Sequence, residues 1–167
     1  MADVAVTDGK LYRLESAGHK QGHIAHRVQV LPDSDMGRAY DLVEVDTGKG
    51  AGFAWGYPGT GPAILAASLV ADVFGETPTR EQFRDGACRA FLHMQAVKDR
   101  FLVRLSTAQD VHVLRAEEIR AFCLANEEEC DACGGTGEEL EFEVPAGWAC
   151  FNCHGLKVQR RRPKVID

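Results

Sequence analysis

No stretch of this 167-residue chain is apolar for long enough to span a bilayer. The longest, PAILAASLV from Pro62 to Val70, falls well short of the about 20 residues a spanning helix needs. The N-terminus, MADVAVTDGKLYRLESAGHK, lacks both the basic patch and the apolar run of a signal peptide, so a cytoplasmic protein without membrane contact is expected. Catalytic motifs are also missing. Gly56 and Gly61 begin the phosphate-cradling pattern G-x-x-x-x-G-K-S/T, but Pro62 and Ala63 stand where the lysine and the hydroxyl belong. That argues against a nucleoside triphosphatase. A helix N-terminus whose free N–H groups could hold an anion survives as the alternative to the favoured reading of WGYPGTGP as a turn around Pro58-Gly59 that feeds a buried helix. His19, His23 and His26 would share a face on a helix, yet Gly18 and Gly22 interrupt it and no glutamate is placed to act as a metalloprotease base, so a solvated loop is expected. No Ser-His-Asp or Cys-His arrangement, paired-carboxylate motif or open metal site assembles from local sequence, and the expectation is a protein that is not an enzyme.

What is present is a pair of Cys-x-x-Cys motifs. Cys130 and Cys133, then Cys150 and Cys153, give C-x2-C-x16-C-x2-C in a chain of six cysteines. In a reducing compartment disulfides are rare, and this spacing is that of a four-thiolate zinc site. Two thiolates from each tight turn meet one tetrahedral ion, while the intervening segment has to be long enough to bring the second pair back. Leu140, Phe142 and Val144 alternate with Glu139, Glu141 and Glu143, and Pro145 to Gly147 can turn the chain, so a β-hairpin closed by one structural zinc is predicted. Gly134, Gly135 and Gly137 allow the backbone to wrap the ion. His154 is an alternative ligand, although four thiolates already complete the tetrahedron and leave no position for a catalytic water. A thioredoxin-like dithiol would need an alternating strand and helix context that is absent here. Cys88 and Cys123, beside Phe91 and Phe122, read as buried small apolar residues.

The run C-x-x-C-x-G-x-G from Cys130 to Gly137 resembles one repeat of the cysteine-rich region of DnaJ-type chaperones. The run from Cys150 matches less fully, with Lys157 where the last glycine would stand. Two such repeats correspond to half of that region, and chaperone activity is not implied.

Upstream, KLYRL, HRVQVL and YDLVEV read as three short strands. A central, almost wholly apolar helix follows the WGYPGTGP turn. A second helix opens at TPTREQF, capped by Thr77 or Thr79 with Pro78 in its first turn, and buries a stripe of Phe83, Ala87, Phe91, Met94 and Val97. FLVRL and VHVL read as strands and AEEIRAFCLAN as a third helix. The predicted class is α+β: a small sheet with about three helices, plus a zinc-ribbon-like C-terminal hairpin. FAWGYPGTGPAILAASLVADVFG and REQFRDGACRAF, within residues 53 to 91, resemble a family of small bacterial and phage domains called domain of unknown function 6166. The likeness extends toward residues 10 to 125. It implies a compact α+β domain from a bacterium or phage, hence host cytoplasm if phage-encoded, and no activity. The expected divisions are a core over 1–126, a zinc hairpin over 127–157 and a basic tail over 158–167.

Charge is unevenly placed behind a formal net charge of -6. Glu127, Glu128, Glu129, Asp131, Glu138, Glu139, Glu141 and Glu143 crowd one segment, whereas Lys157, Arg160, Arg161, Arg162 and Lys164 crowd the last eleven residues. A basic arm beside zinc displaces counterions from nucleic acid. The leading expectation is therefore a zinc-stabilised accessory protein that contacts phosphates through this arm. The alternative is a protein-interaction module or inhibitor whose acidic hairpin engages a nucleic-acid enzyme of the host. Trp55, Tyr57 and Trp148 offer stacking surfaces but read as core or hairpin cover.

Overall fold

Alternation in LYRLE sets Tyr12 and Leu14 opposite in direction to Arg13 and Glu15, and RVQV does the same with Val28 and Val30 against Arg27 and Gln29. In the computed structural model, which describes residues 9–20, 23–32, 37–132, 134–135 and 153–161 (17–20 and 23–25 as backbone alone), that pattern becomes a sheet with one buried face. Strand β1 (Leu11–Lys20) pairs antiparallel with β2 (His23–Leu31), setting Tyr12 across from Val30 and Leu14 across from Val28, all four buried. Strand β3 (Tyr40–Asp41) lies on the far side of β2, and β4 (Val111–Arg115) on the far side of β1, giving the order β3-β2-β1-β4.

Helix α1 (Thr60–Phe74) is buried on nearly every side, as its composition predicts. Its Leu65, Leu69, Val70 and Val73 share one core with Tyr12, Leu14, Val28, Trp55, Leu102 and Ile119. Gly75 ends it in the left-handed conformation (φ 66), and Glu76 N donates to Ala71 O at 2.7 Å, closing the helix C-terminus. Helix α2 (Arg80–Arg84) begins with a reciprocal cap in which Gln82 N donates to Thr79 Oγ1 and Thr79 N donates to Gln82 Oε1. Thr79→Ala is expected to lower stability by about 1 kcal/mol in urea denaturation. Helices α3 (Arg89–Val97) and α4 (Ala116–Ala125) complete an α+β fold. No helix among the described residues is long and apolar enough to cross a membrane.

Four local expectations are corrected. His19 and His23 lie in paired strands rather than a loop: His19 pairs with Ile24 and Lys20 with His23, beyond a register shift between Ser16 and His19. YDLVEV pairs only at Tyr40–Asp41 and through Leu42 N to Val28 O. By Val45 the chain has left the sheet, and its N–H donates instead to Ser68 Oγ on α1. FLVRL is not a strand: Phe101 and Leu102 end a π-helical segment, Lys98–Leu102, that continues α3 and carries Leu102 into the core, and the chain turns over 103–105. Finally, the stripe assigned to one helix spans two. Pro78 precedes the Thr79 cap, Gly86 (φ 77) breaks the chain between α2 and α3, and Phe91 is half-exposed while packing edge-on against Phe83.

Candidate metal centre and basic strand

Beyond α4 the chain runs through β5 (Glu127–Glu129) and returns as β6 (Val158–Arg160), antiparallel, with Glu127 across from Arg160 and Glu129 across from Val158. Residues read from sequence as the start of a basic tail thus form a strand. The pairing continues past both ends of the ladder: Arg161 N donates to Asn126 O at 2.7 Å and Cys130 N to Lys157 O at 3.0 Å. One cysteine from each Cys-x-x-Cys motif is thereby brought to the same place. Cys130 and Cys153 are both buried and pack together with Leu156.

The backbone around each thiol is tightly turned. Gly135 N donates to Cys130 O and Leu156 N donates to Cys153 O. Gly134 (φ 55), Gly135 (φ 76), His154 (φ 50) and Gly155 (φ 82) are all left-handed. Glycine takes this conformation without penalty; His154 does so against its own preference. Cys133 and Cys150, Gly137, the strands predicted between the two motifs and Trp148 lie outside the described residues. Among the described residues no group of three or more His, Cys, Asp or Glu side chains converges as a metal site. His154 is exposed and approaches the α2–α3 turn, its Cδ2 lying 3.7 Å from where a Cβ on Gly86 would be. Arg84 holds the neighbouring Asp85 carboxyl below its ordinary value, with a smaller contribution from His154.

Lys157, Arg160 and Arg161 are exposed, and among the described residues their side chains make no hydrogen bond or ion pair. Arg162 and Lys164 lie outside them. Arg160 is not neutralised by Glu127 across the ladder, because that carboxylate points into the α3 side of the molecule. Its Oε1 accepts from Arg89 Nε and from His93 Nε2, each at 2.8 Å. Burial pushes the Glu127 carboxyl up, but the hydrogen bonds from His93 and Arg89 outweigh it and hold it below the ordinary range.

Residues 17–125 match the family of unknown function DUF6166, well over half of the chain. The chain belongs to this family. The DUF6166 resemblance seen over residues 53 to 91 therefore extends from the end of β1 to the end of α4, and the cysteine motifs lie outside the matched span. No curated protein and no solved structure matches the chain.

Within the DUF6166 domain the WGYPGTGP turn is a packing device. Gly56 (φ 83) sits against Thr107 and 2.9 Å, measured from a would-be Cβ, from Leu105 O, leaving no room for a side chain. Gly61 packs on Ala54, Trp55 is buried, and the N-cap Gly59 has no side-chain partner to offer. His26 packs against Trp55 with ring centroids 4.1 Å apart and the planes tilted, and burial lowers its pKa. Cys88 and Cys123 are buried as expected. Burial raises the pKa of both, that of Cys123 to about 12, so neither is a nucleophile at neutral pH.

Sequence reading missed a polar cluster at the end of α1. Asp72, the only charged residue of that helix, accepts from Tyr12 OH at 2.6 Å and Tyr40 OH at 3.0 Å and pairs with Lys10. A lone charge in an apolar helix was the available signal, since such a group must find a partner. A cavity of about 390 Å³ opens beside it, between Val43, Val45 and Pro78. Its other inner carboxylate, Glu76, is occupied too, accepting from the N–H groups of Arg89 and Ala90 at the start of α3. Burial first, then the hydrogen bond and charge of Asp72, push the Tyr12 pKa well above the ordinary 10.0. A raised folded pKa stabilises fully below the unfolded value and is lost as pH rises, so stability is expected to fall above pH 10.0. Urea unfolding on either side of that pH, in wild type and Tyr12→Phe, measures it; an equal alkaline loss in the variant would assign the effect elsewhere.

Proposed function

We propose that this DUF6166 protein is a non-enzymatic accessory protein that holds one structural zinc through Cys130, Cys133, Cys150 and Cys153 and contacts nucleic-acid phosphates through its basic strand. The donor set fits zinc: one thiol from each motif is already buried beside the other at the end of the β5–β6 ladder. Bound there, zinc supplies cross-linking and no chemistry, since four thiolates close its coordination sphere.

The observation that carries the phosphate reading is the state of Lys157, Arg160 and Arg161. They are clustered, exposed and, among the described residues, without a hydrogen bond or ion pair, beside a strand of three glutamates. Arg13 is paired with Glu15, Arg27 with Asp41 and Arg84 with Asp85, while the exposed Arg38, Arg100 and Arg104 are spread along the chain rather than clustered. Unpaired basic side chains on a strand held by its neighbour are positioned for phosphate oxygens; nothing there reads bases, so weak, sequence-insensitive binding is expected.

Duplex DNA titrated at several salt concentrations tests this. The slope of log affinity against log salt is expected to lose about 0.9 for each phosphate contact removed when Lys157, Arg160 and Arg161 are changed together to alanine. Equal affinity and slope in the triple variant would refute the reading. If instead a protein partner is lost when Glu138, Glu139, Glu141 and Glu143 become glutamine, the acidic hairpin is the working surface.

A further inference from the structure

We propose that the α3 face carrying Arg89 and His93 is the docking surface of the DUF6166 domain for its own C-terminal hairpin, and that Glu127 passes the metal state of the hairpin to that domain. The proposal rests on the zinc reading above.

Arg89 and His93 are four residues apart, so they project from the same side of α3. His93 is fully buried and Arg89 about two-thirds so, its guanidinium 5.0 Å from the Phe74 ring. The carboxylate that meets both belongs to Glu127, only 8 % exposed and two positions beyond the end of the family match. Glu76, which reaches the same helix, is engaged with main-chain N–H groups at its start. The domain thus buries a donor pair whose acceptor comes from the extension. A second contact lies at the other knuckle, where His154 approaches Gly86 and Asp85.

Glu127 is held in place by the β5–β6 ladder, which is three residues long on each strand. An isolated two-stranded ribbon is marginal at best in water. Closing the long excursion from Cys130 to Lys157 at its base removes loop entropy, which is what a metal clip beside the ladder accomplishes. With the clip open, the ladder frays, Glu127 leaves, and Arg89 and His93 lose their acceptor in a dehydrated position. The two-state element is the ladder, paired or frayed.

The test is hydrogen exchange on full-length protein, with zinc content measured on the same sample, before and after a zinc chelator. Chelation is expected to speed exchange in peptides covering α3 by about tenfold. In Glu127→Gln, exchange there should already be fast, and chelation should add less than twofold. Glu127→Asp, which keeps the charge on a shorter arm, should fall between and serves if the glutamine variant does not fold. If the wild type carries zinc but α3 exchange ignores chelation, or if chelation acts equally in the variants, the coupling is refuted while the zinc reading stands. If the wild type carries no zinc, the underlying reading fails.

Discussion

The parent chain is expected to purify with one zinc per molecule and Cys153→Ala without it. Structural zinc in small peptides is worth about 10–16 kcal/mol near neutral pH, an energy spread over four ligands and highly sensitive to losing one. Cys153 is 4 % exposed and packed on Cys130. Cys123→Ala is the control: that thiol is buried in the DUF6166 core, apart from the Cys130–Cys153 cluster, and its loss should leave metal content unchanged. Because thiolates must be deprotonated to bind, acidification should release the metal from the parent chain as well. Metal analysis of the three proteins decides the matter. Full occupancy in Cys153→Ala would refute the four-thiolate assignment.

Leu69→Ala is expected to cost about 2–5 kcal/mol, a large part of the stability of any domain this size. Leu69 has no exposed surface and belongs to the core shared by α1, the sheet and the Trp55 turn. α1 packs against both α3 and α4, so it cannot move to fill the space without disturbing two other helices. The denaturation midpoint should fall while the slope with urea stays constant, because the folded and unfolded surfaces barely change. A loss below about 1 kcal/mol would mean that the site collapses around the smaller side chain.

The parts of this protein that were legible in its sequence are those whose cause is local. The Val-, Leu- and Tyr-rich runs KLYRL and HRVQVL, the apolar composition of PAILAASLV and a capping threonine before REQF each act within a few residues, and the chain obeyed them. The burial of Cys88 and Cys123 followed from the helices around them. FLVRL misled because a short apolar run suits a strand and a buried helical turn equally well, and only the core position waiting for Leu102 chose between them. YDLVEV misled because a strand needs a neighbour along its whole length. Ser68 on α1 took the N–H of Val45 instead.

The site divides in the same way. Sequence spacing proposes Cys130, Cys133, Cys150 and Cys153 as ligands of one ion; the structure packs Cys130 on Cys153, while Cys133 and Cys150 lie outside the described residues. The sequence placed Glu127 in an acidic run next to a basic one and went no further. That Glu127 turns from that run into the DUF6166 domain, toward Arg89 and His93, was decided by tertiary structure. So was the convergence of Lys10, Tyr12 and Tyr40 on Asp72. Both follow from the energy of a buried charge, which is set largely by the groups that folding brings near it from distant parts of the chain.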